Sequence, residues 1–136
     1  MTEALLSSNL LTRRFGGLTA VDGVSLELHR GEVHAVIGTN GAGKSTLINM
    51  LSGEIAPSGG SIEFAGRDVT DWSQPKRARA GIGRSYQRTT IFPEFTVLEN
   101  CRLCAQAALP RAWALWEAAQ RCAASLAVAH EALAAA

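Results

Sequence analysis

Apolar and polar residues alternate along the first 37 residues, which is the pattern of half-buried β-strands. The clearest alternation covers residues 24–29, where valine and leucine take the even positions and serine, glutamate and histidine the odd ones. A period of two places these sets on opposite faces of a sheet. A second β-rich run, residues 32–37, follows a turn at Arg30 and Gly31 and stops at Gly38. We therefore predict that residues 1–37 are mainly strands.

The spacing of apolar residues changes from strand to helix at Lys44. We expect this helix to end near Gly53, because glycine readily adopts the left-handed conformation that terminates helices. Its candidate packing residues are Leu47, Ile48, Met50 and Leu51.

Shorter elements are predicted further along the chain. Residues 61–64 form a short strand between two turns, Pro75 opens a short basic helix, and residues 82–86 form another strand. From Thr96 the pattern is helical, with an interruption at Pro110. The final stretch is rich in alanine, which buries little area, so its helix needs a larger partner surface. One face of that helix carries Leu115, Ala119, Cys122, Leu126, Ala129 and Leu133.

The loop between the predicted strand 32–37 and the helix at Lys44 reads Gly-Thr-Asn-Gly-Ala-Gly-Lys-Ser. A strand, then G-x-x-x-x-G-K-S, then a helix is the context of a phosphate-binding P-loop. Gly38, Gly41 and Gly43 let the backbone curl so that its N–H groups face a phosphate. Lys44 is expected to reach the β- and γ-phosphates, and the Ser45 hydroxyl to ligate Mg²⁺.

The competing interpretation of this loop is a glycine-rich turn that joins two packed elements. A dinucleotide-binding Rossmann loop would instead read G-x-G-x-x-G and would need no lysine here. Guanine-specific GTPases carry an Asn-Lys-x-Asp motif, and Lys44 and Lys76, the only lysines of this chain, do not stand in one. The expected nucleotide is therefore ATP.

The composition of the chain limits which classes of partner and site are expected. Thirteen basic and twelve acidic residues give a formal charge of +1, so no basic field predicts a nucleic-acid partner. Cys101 and Cys104 form a C-x-x-C without a second pair, so small apolar helix positions are favoured over a metal site. No uninterrupted apolar run approaches the roughly 18 residues of a membrane span.

Three segments outside the loop carry a family resemblance. They are residues 14–26 (RFGGLTAVDGVSL), 57–62 (PSGGSI) and 81–87 (GIGRSYQ). Together with the loop they resemble the N-terminal part of an ABC transporter ATP-binding subunit, over nearly the whole chain from Leu5. The resemblance implies an α/β P-loop NTPase fold of the ABC ATPase type. Residues 1–95 would form the ATP-binding core with its β-rich subdomain, Walker A loop and Q-loop, and residues 96–136 the start of the helical subdomain.

The resemblance also implies roles for individual residues. Phe15 matches the aromatic that stacks on adenine, although a core phenylalanine is the alternative, and Val21 would line the same side of the base. Gln87 matches the Q-loop glutamine that reaches Mg²⁺ and the attacking water. Lys44 and Gln87 would be catalytic, and Ser45 and Gln87 would ligate the metal. The implied nucleotide-binding set is Phe15, Val21, Gly38, Asn40, Gly41, Ala42, Gly43, Lys44, Ser45 and Thr46.

The residues 15–21 and 92–100 are similar to subunits that import branched-chain amino acids or related amides. Implied partners are transmembrane permease subunits and a second ATP-binding subunit, at the inner face of the membrane. Residues 87–99 would face the permease; the alternative is a loop packed on its own domain. Two other functions remain open, a non-transport ABC protein acting on ribosomes or DNA, and a binding-only remnant.

Three motifs of the family do not occur in these 136 residues: the Leu-Ser-Gly-Gly-Gln signature, a strand ending in Asp-Glu, and a later switch histidine. The segment Leu51-Ser52-Gly53-Glu54 imitates the signature but ends the P-loop helix. We therefore expect a truncated ATPase that stops inside the helical subdomain and does not hydrolyse ATP alone.

Overall fold

The computed structural model describes residues 4–86, 91–108 and 122–135. The chain forms two compact units, Met1–Arg84 and Ser85–Ala136. The first contains strands β1 (Leu6–Phe15), β2 (Leu18–Leu28), β3 (Gly59–Phe64) and β4 (Arg67–Asp68), and helices α1 (Lys44–Ser52) and α2 (Gln74–Ala80). The second contains α3 (Val97–Ala108) and α4 (Ala123–Ala134).

The sheet of the first unit is antiparallel in the order β2-β1-β3-β4. β1 and β2 form a hairpin whose register runs from Leu6 opposite Leu28 to Phe15 opposite Leu18. Residues 24–28 alternate between half-buried and exposed as predicted, with the apolar side chains turned inward.

One hydrophobic core joins this sheet to α1. Leu47 and Met50 of α1 are buried as predicted, whereas Ile48 remains 43% exposed. Burial of apolar surface stabilises the folded state by roughly 25 cal/mol per Å². These few side chains therefore hold α1 against the sheet. The fully or nearly buried members of the core are Leu11, Val21, Leu47, Met50, Ile62 and Val69.

The C-terminal end of α1 is closed by a glycine and a buried arginine. Gly53 has φ +82°, which terminates the helix as predicted. The Arg77 side chain on α2 is 1% exposed, and this burial lowers the pKa of Arg77, opposed by the charges of Asp68 and Asp71. Its guanidinium donates hydrogen bonds of 2.7–3.1 Å to the carbonyl oxygens of Met50, Leu51, Thr70 and Trp72.

Two strand predictions are wrong. Residues 32–37 and 82–86 adopt no regular secondary structure, and Val33 and Ile37 are 95% and 90% exposed. β-Branched side chains favour extended backbone, but a strand exists only when a neighbour completes its ladder of hydrogen bonds. None of the strands in the described ranges pairs with either segment.

The second unit is a pair of packed helices. α3 begins with a capping box in which Thr96 and Glu99 exchange hydrogen bonds of 2.8–3.2 Å. On α4, Ala129 is buried as predicted and Leu133 is at the surface, while Ser125 is buried without having been predicted. Leu115 and Ala119 lie outside the described residues. Among those that are described, no helix combines the length and apolar content that a bilayer crossing requires.

Candidate functional site

The loop 38–43 curls tightly before α1 begins. Gly41 and Gly43 have φ values of +84° and +83°, which side chains rarely tolerate. The Ala42 N–H donates to the Thr39 carbonyl oxygen over 3.2 Å and closes the turn. The curl predicted from the glycine spacing is therefore present.

Gly43 is constrained by its neighbours as well as by its backbone. A Cβ atom at this position would lie 2.2 Å from the carbonyl oxygen of Ala20 and 3.3 Å from Val21 Cγ2. Backbone cannot give way as a flexible side chain can, so only glycine fits where the loop crosses β2. At Gly38 a Cβ would meet that of Ala42 at 3.3 Å, a milder constraint.

The N-terminus of α1 is open to an anion. Its N-cap is Gly43, no side chain caps the first turn, and no acidic residue occurs there. The first N–H groups of a helix have no intrahelical acceptor and carry a partial positive charge. A phosphate placed at this end would accept hydrogen bonds from these N–H groups and would interact favourably with the partial positive charge.

Lys44, the first residue of α1, folds back over the loop. Its Nζ donates hydrogen bonds of 2.7 Å to the carbonyl oxygens of Gly38 and Thr39. The ammonium thus lies against the carbonyl oxygens of the loop. The contact of Lys44 with the β- and γ-phosphates stays a prediction.

An open cavity of about 310 Å³ adjoins Lys44. Val21, which is 7% exposed, lines this cavity and also belongs to the hydrophobic core, and its contact with the base stays a prediction. Asp22 and Leu47 also contribute, and no local motif signals them, because their position follows from the crossing of β2 and α1. The lining residues are Ala20, Val21, Asp22, Val24, Val36, Ile37, Ala42, Gly43, Lys44 and Leu47.

The other predicted binding residues, Asn40, Ser45 and Thr46, are not among those that line this cavity. Asn40 is exposed in the turn, Ser45 is exposed in the first turn of α1, and Thr46 is half-buried beside it. An exposed hydroxyl next to the phosphate position suits Mg²⁺, which is usually bound through few protein ligands plus substrate phosphates. The described part of the chain holds no cluster of three or more His, Cys, Asp or Glu side chains that could bind a metal by itself. Ser45 therefore fits Mg²⁺ brought with a nucleotide.

Phe15 ends β1 and is 43% exposed, so it is not a core phenylalanine. The Arg13 guanidinium lies over its ring, with Cζ 4.6 Å from the ring centroid. Arg13 was not singled out from the sequence, because arginines at alternate strand positions are common at surfaces. Gln87, the predicted Q-loop residue, lies outside the described residues.

Comparisons with known proteins identify one family. The ABC transporter family model matches residues 21–135. A high-affinity branched-chain amino acid transport ATP-binding protein of Salmonella typhimurium is 45% identical over 100 residues, which are 74% of this chain and 39% of that protein. A ribose import ATP-binding protein of Rubrobacter xylanophilus is 48% identical over 99 residues, which are 73% of this chain and 20% of that protein.

Solved structures give the same result for the fold. An ATP-binding cassette of an ABC transporter in its ADP conformation superposes with a TM-score of 0.70 at 36% identity, over 75% of this chain and 40% of that one. A dimeric cassette bound to ADP and phosphate, 20% identical over 95% of this chain and 56% of the other, shares the fold with a TM-score of 0.68. The predicted P-loop fold class is confirmed.

The chain spans between a fifth and two fifths of the length of these two sequence relatives. The match of the family model over residues 21–135, the curled glycine loop and the open start of α1 lead to one conclusion. The chain belongs to the ABC transporter family of ATP-binding proteins.

Proposed function

We propose that this chain is the nucleotide-binding part of a subunit that energises an ABC importer by binding and hydrolysing MgATP. The observation that carries the proposal is the position of the Lys44 ammonium, 2.7 Å from two loop carbonyls at the uncapped start of α1. The Lys44 ammonium and the N-terminus of α1 both carry positive charge. A triphosphate is an anion that such charges would bind.

Each predicted site residue contacts a different part of MgATP in this proposal. Loop N–H groups and Lys44 receive the phosphates, and the exchange of two carbonyl partners for phosphate oxygens would draw the Lys44 chain outward. Ser45 holds the metal, which neutralises phosphate charge when bound. Phe15 and Val21 contact the base, and Gln87 orients the attacking water.

The proposed cargo is a branched-chain amino acid or a related amide. The Salmonella relative, named as a branched-chain amino acid transport protein, supports this class. The Rubrobacter relative is named as a ribose import protein and favours a sugar as the second candidate. Uptake of labelled leucine against labelled ribose, in cells lacking the gene, separates the two. The non-transport alternative is not favoured by relatives that are both import or transport proteins.

Permease subunits are the proposed partners, together with a second ATP-binding subunit, at the inner face of the membrane. Ile91 and Phe92 are 58% and 57% exposed, and the Phe92 and Phe95 rings pack together with centroids 5.4 Å apart. Ile91 and Phe92 also contact the groove beside α3 and α4 within their own unit. An exposed apolar cluster on a helix-supported segment suits a protein partner.

The test is the affinity of MgATP for Lys44→Ala measured by calorimetry. We expect a loss of about tenfold or more, since a charge-assisted contact contributes about 1.5–3 kcal/mol. Lys76→Ala removes the same charge far from the loop along the chain and should bind MgATP as the native chain does. Equal affinity of the native chain and Lys44→Ala would overturn the proposal.

A further inference from the structure

We propose that Arg13 is a positioning residue for the adenine platform, so that the base is held by a stack of guanidinium, Phe15 ring and adenine. The inference rests on the proposed function, because it assumes that Phe15 receives the base. Neither residue lies in the phosphate loop, so the proposal concerns the selectivity for the base and not the affinity for phosphate.

The first support is the contact itself. Arg13 Cζ lies 4.6 Å from the Phe15 ring centroid, within the range of a cation–π interaction. The ring is nevertheless 43% exposed, so the guanidinium covers one part of it and leaves area for a planar ligand. We expect the exposed part of the ring to receive the base.

The second support is that Arg13 is held in place. Its Nη1 donates a 2.8 Å hydrogen bond to the carbonyl oxygen of Ala56, 43 residues further along the chain. The Nε atom is shielded from solvent. A tethered, partly dehydrated guanidinium fixes the ring more firmly than a solvated one, because little side-chain entropy remains to be lost.

The third support is the location of Arg13 relative to the cavity. Arg13 pairs across the hairpin with Val21, and Val21 lines the cavity beside Lys44. Arg13 therefore stands opposite a residue of the cavity wall, on the neighbouring strand of the hairpin. Exposed Phe15 at a strand end would otherwise rotate among several rotamers, and ordering it would cost free energy on binding.

The experiment measures ATP and tripolyphosphate affinities of the chain by calorimetry for Arg13→Gln and Arg14→Gln. Arg14 is the exposed neighbour on β1, so its variant matches the change in charge without touching the stack. Arg13→Gln is expected to weaken ATP by about two- to fivefold, from the size of an exposed cation–π contact. Tripolyphosphate affinity should be unchanged, and Arg14→Gln should match the native chain for both ligands.

A double-mutant cycle with Phe15→Leu gives the decisive readout. If Arg13 acts through the ring, Arg13→Gln has no further effect on ATP once Phe15 is leucine. A parallel loss of ATP and tripolyphosphate would mean that Arg13 only supports the fold, and a loss that persists with Leu at position 15 would mean that it contacts the nucleotide directly. Either result overturns the inference. Failure of Lys44→Ala to weaken ATP would instead overturn the proposed function, so the two failures are distinct.

Discussion

The carbonyl oxygen of Ala20 restricts position 43 to glycine. The Ala20 carbonyl of β2 approaches the loop so closely that any Cβ would lie 2.2 Å from it. The family resemblance requires glycine at this position, and the structure gives a reason that involves no ligand. The P-loop sequence is therefore also a packing requirement between the loop and the sheet.

Gly43→Ala tests this requirement. We expect a loss of stability beyond the roughly 1–2 kcal/mol of a left-handed residue, because β2 must also move, and MgATP affinity should fall with it. Gly31→Ala is the matched control, since Gly31 has φ +81° and open space around its Cα. Urea unfolding of both variants measures the difference. Equal destabilisation would show that the Ala20 contact relaxes freely.

Among single residues, those of the phosphate loop could be predicted from the sequence, but those packed around the loop could not. The glycine and lysine spacing suffices for the loop, because its chemistry is local in the chain. Arg13 and Phe15 lie two positions apart on β1, so the period of a strand places them on one face, but the hydrogen bond that holds Arg13 is accepted by Ala56, 43 residues along the chain. The contribution of Asp22 to the cavity depends on the crossing of β2 with α1. Contacts with such distant segments cannot be predicted from a run of neighbouring residues.

The elements are held by contacts at their ends. α1 depends at its C-terminus on Arg77, whose guanidinium serves carbonyl oxygens of two separate segments. Arg77 was predicted only as one basic residue of a short helix, and its burial could not be foreseen, since arginine is rarely buried without partners.

Arg77→Met is expected to destabilise the first unit by about 3 kcal/mol or more, because several buried carbonyl oxygens lose a charged donor. Arg79→Met on the same helix is exposed and should change the free energy of unfolding by less than about 0.5 kcal/mol. Urea unfolding followed by tryptophan fluorescence measures the difference, and Trp72 is the tryptophan of the first unit among the three of the chain. A similar small effect for both would show that water replaces the guanidinium.

The stability of the first turn of α3 should depend on pH, because the Glu99 carboxylate accepts hydrogen bonds there. Hydrogen bonds from the backbone N–H and hydroxyl of Thr96 lower the pKa of Glu99. Stabilisation by this carboxylate is therefore complete above the ordinary glutamate pKa of about 4.3. It is lost as pH falls through the lower folded value.

Amide hydrogen exchange along α3, compared with Glu99→Gln at each pH, measures this effect. Native protection should exceed that of Glu99→Gln at pH 6 and converge with it in strong acid. Glu94→Gln, in the preceding exposed loop, is the control and should behave as the native chain. A constant difference across this range would exclude the carboxylate as its source.

Elements whose signals lie within their own segment were predicted well, and β1, β2 and β3 also fall where strands were predicted. α1, α2 and α3 follow from spacing, proline and capping residues that lie within each segment. The expected strands at 32–37 and 82–86 did not form, because pairing is a property of two segments. The division of the chain near residue 95 remains a prediction; the compact units meet at Arg84 and Ser85.

At the scale of the whole molecule, binding and hydrolysis make different demands. Phosphoryl transfer depends on positioned charge and on an oriented water, and the family resemblance assigns those tasks to an acidic pair and to a second subunit. The two sequence relatives are between about two and a half and five times as long as the matched part of this chain.

We therefore predict that the 136-residue chain releases phosphate from MgATP no faster than its Lys44→Ala variant. The complete Salmonella relative serves as the positive control for the phosphate assay. Hydrolysis that depends on Lys44 in the chain alone would mean that it carries its own water-activating group, such as Glu94 or Glu99.

The buried Arg77 also sets an order of events during synthesis. Met50, whose carbonyl oxygen accepts a hydrogen bond from the Arg77 guanidinium, leaves the ribosome 27 residues earlier. At about 5–20 residues per second, that interval lasts roughly 1–5 seconds. Until it ends, Gly53 caps α1, but the hydrogen bonds from Arg77 to the Met50 and Leu51 carbonyl oxygens are missing. A nucleotide that binds early therefore meets a helix that is not yet fully held. We therefore expect the speed of translation between codons 50 and 77 to affect the folding yield of this protein.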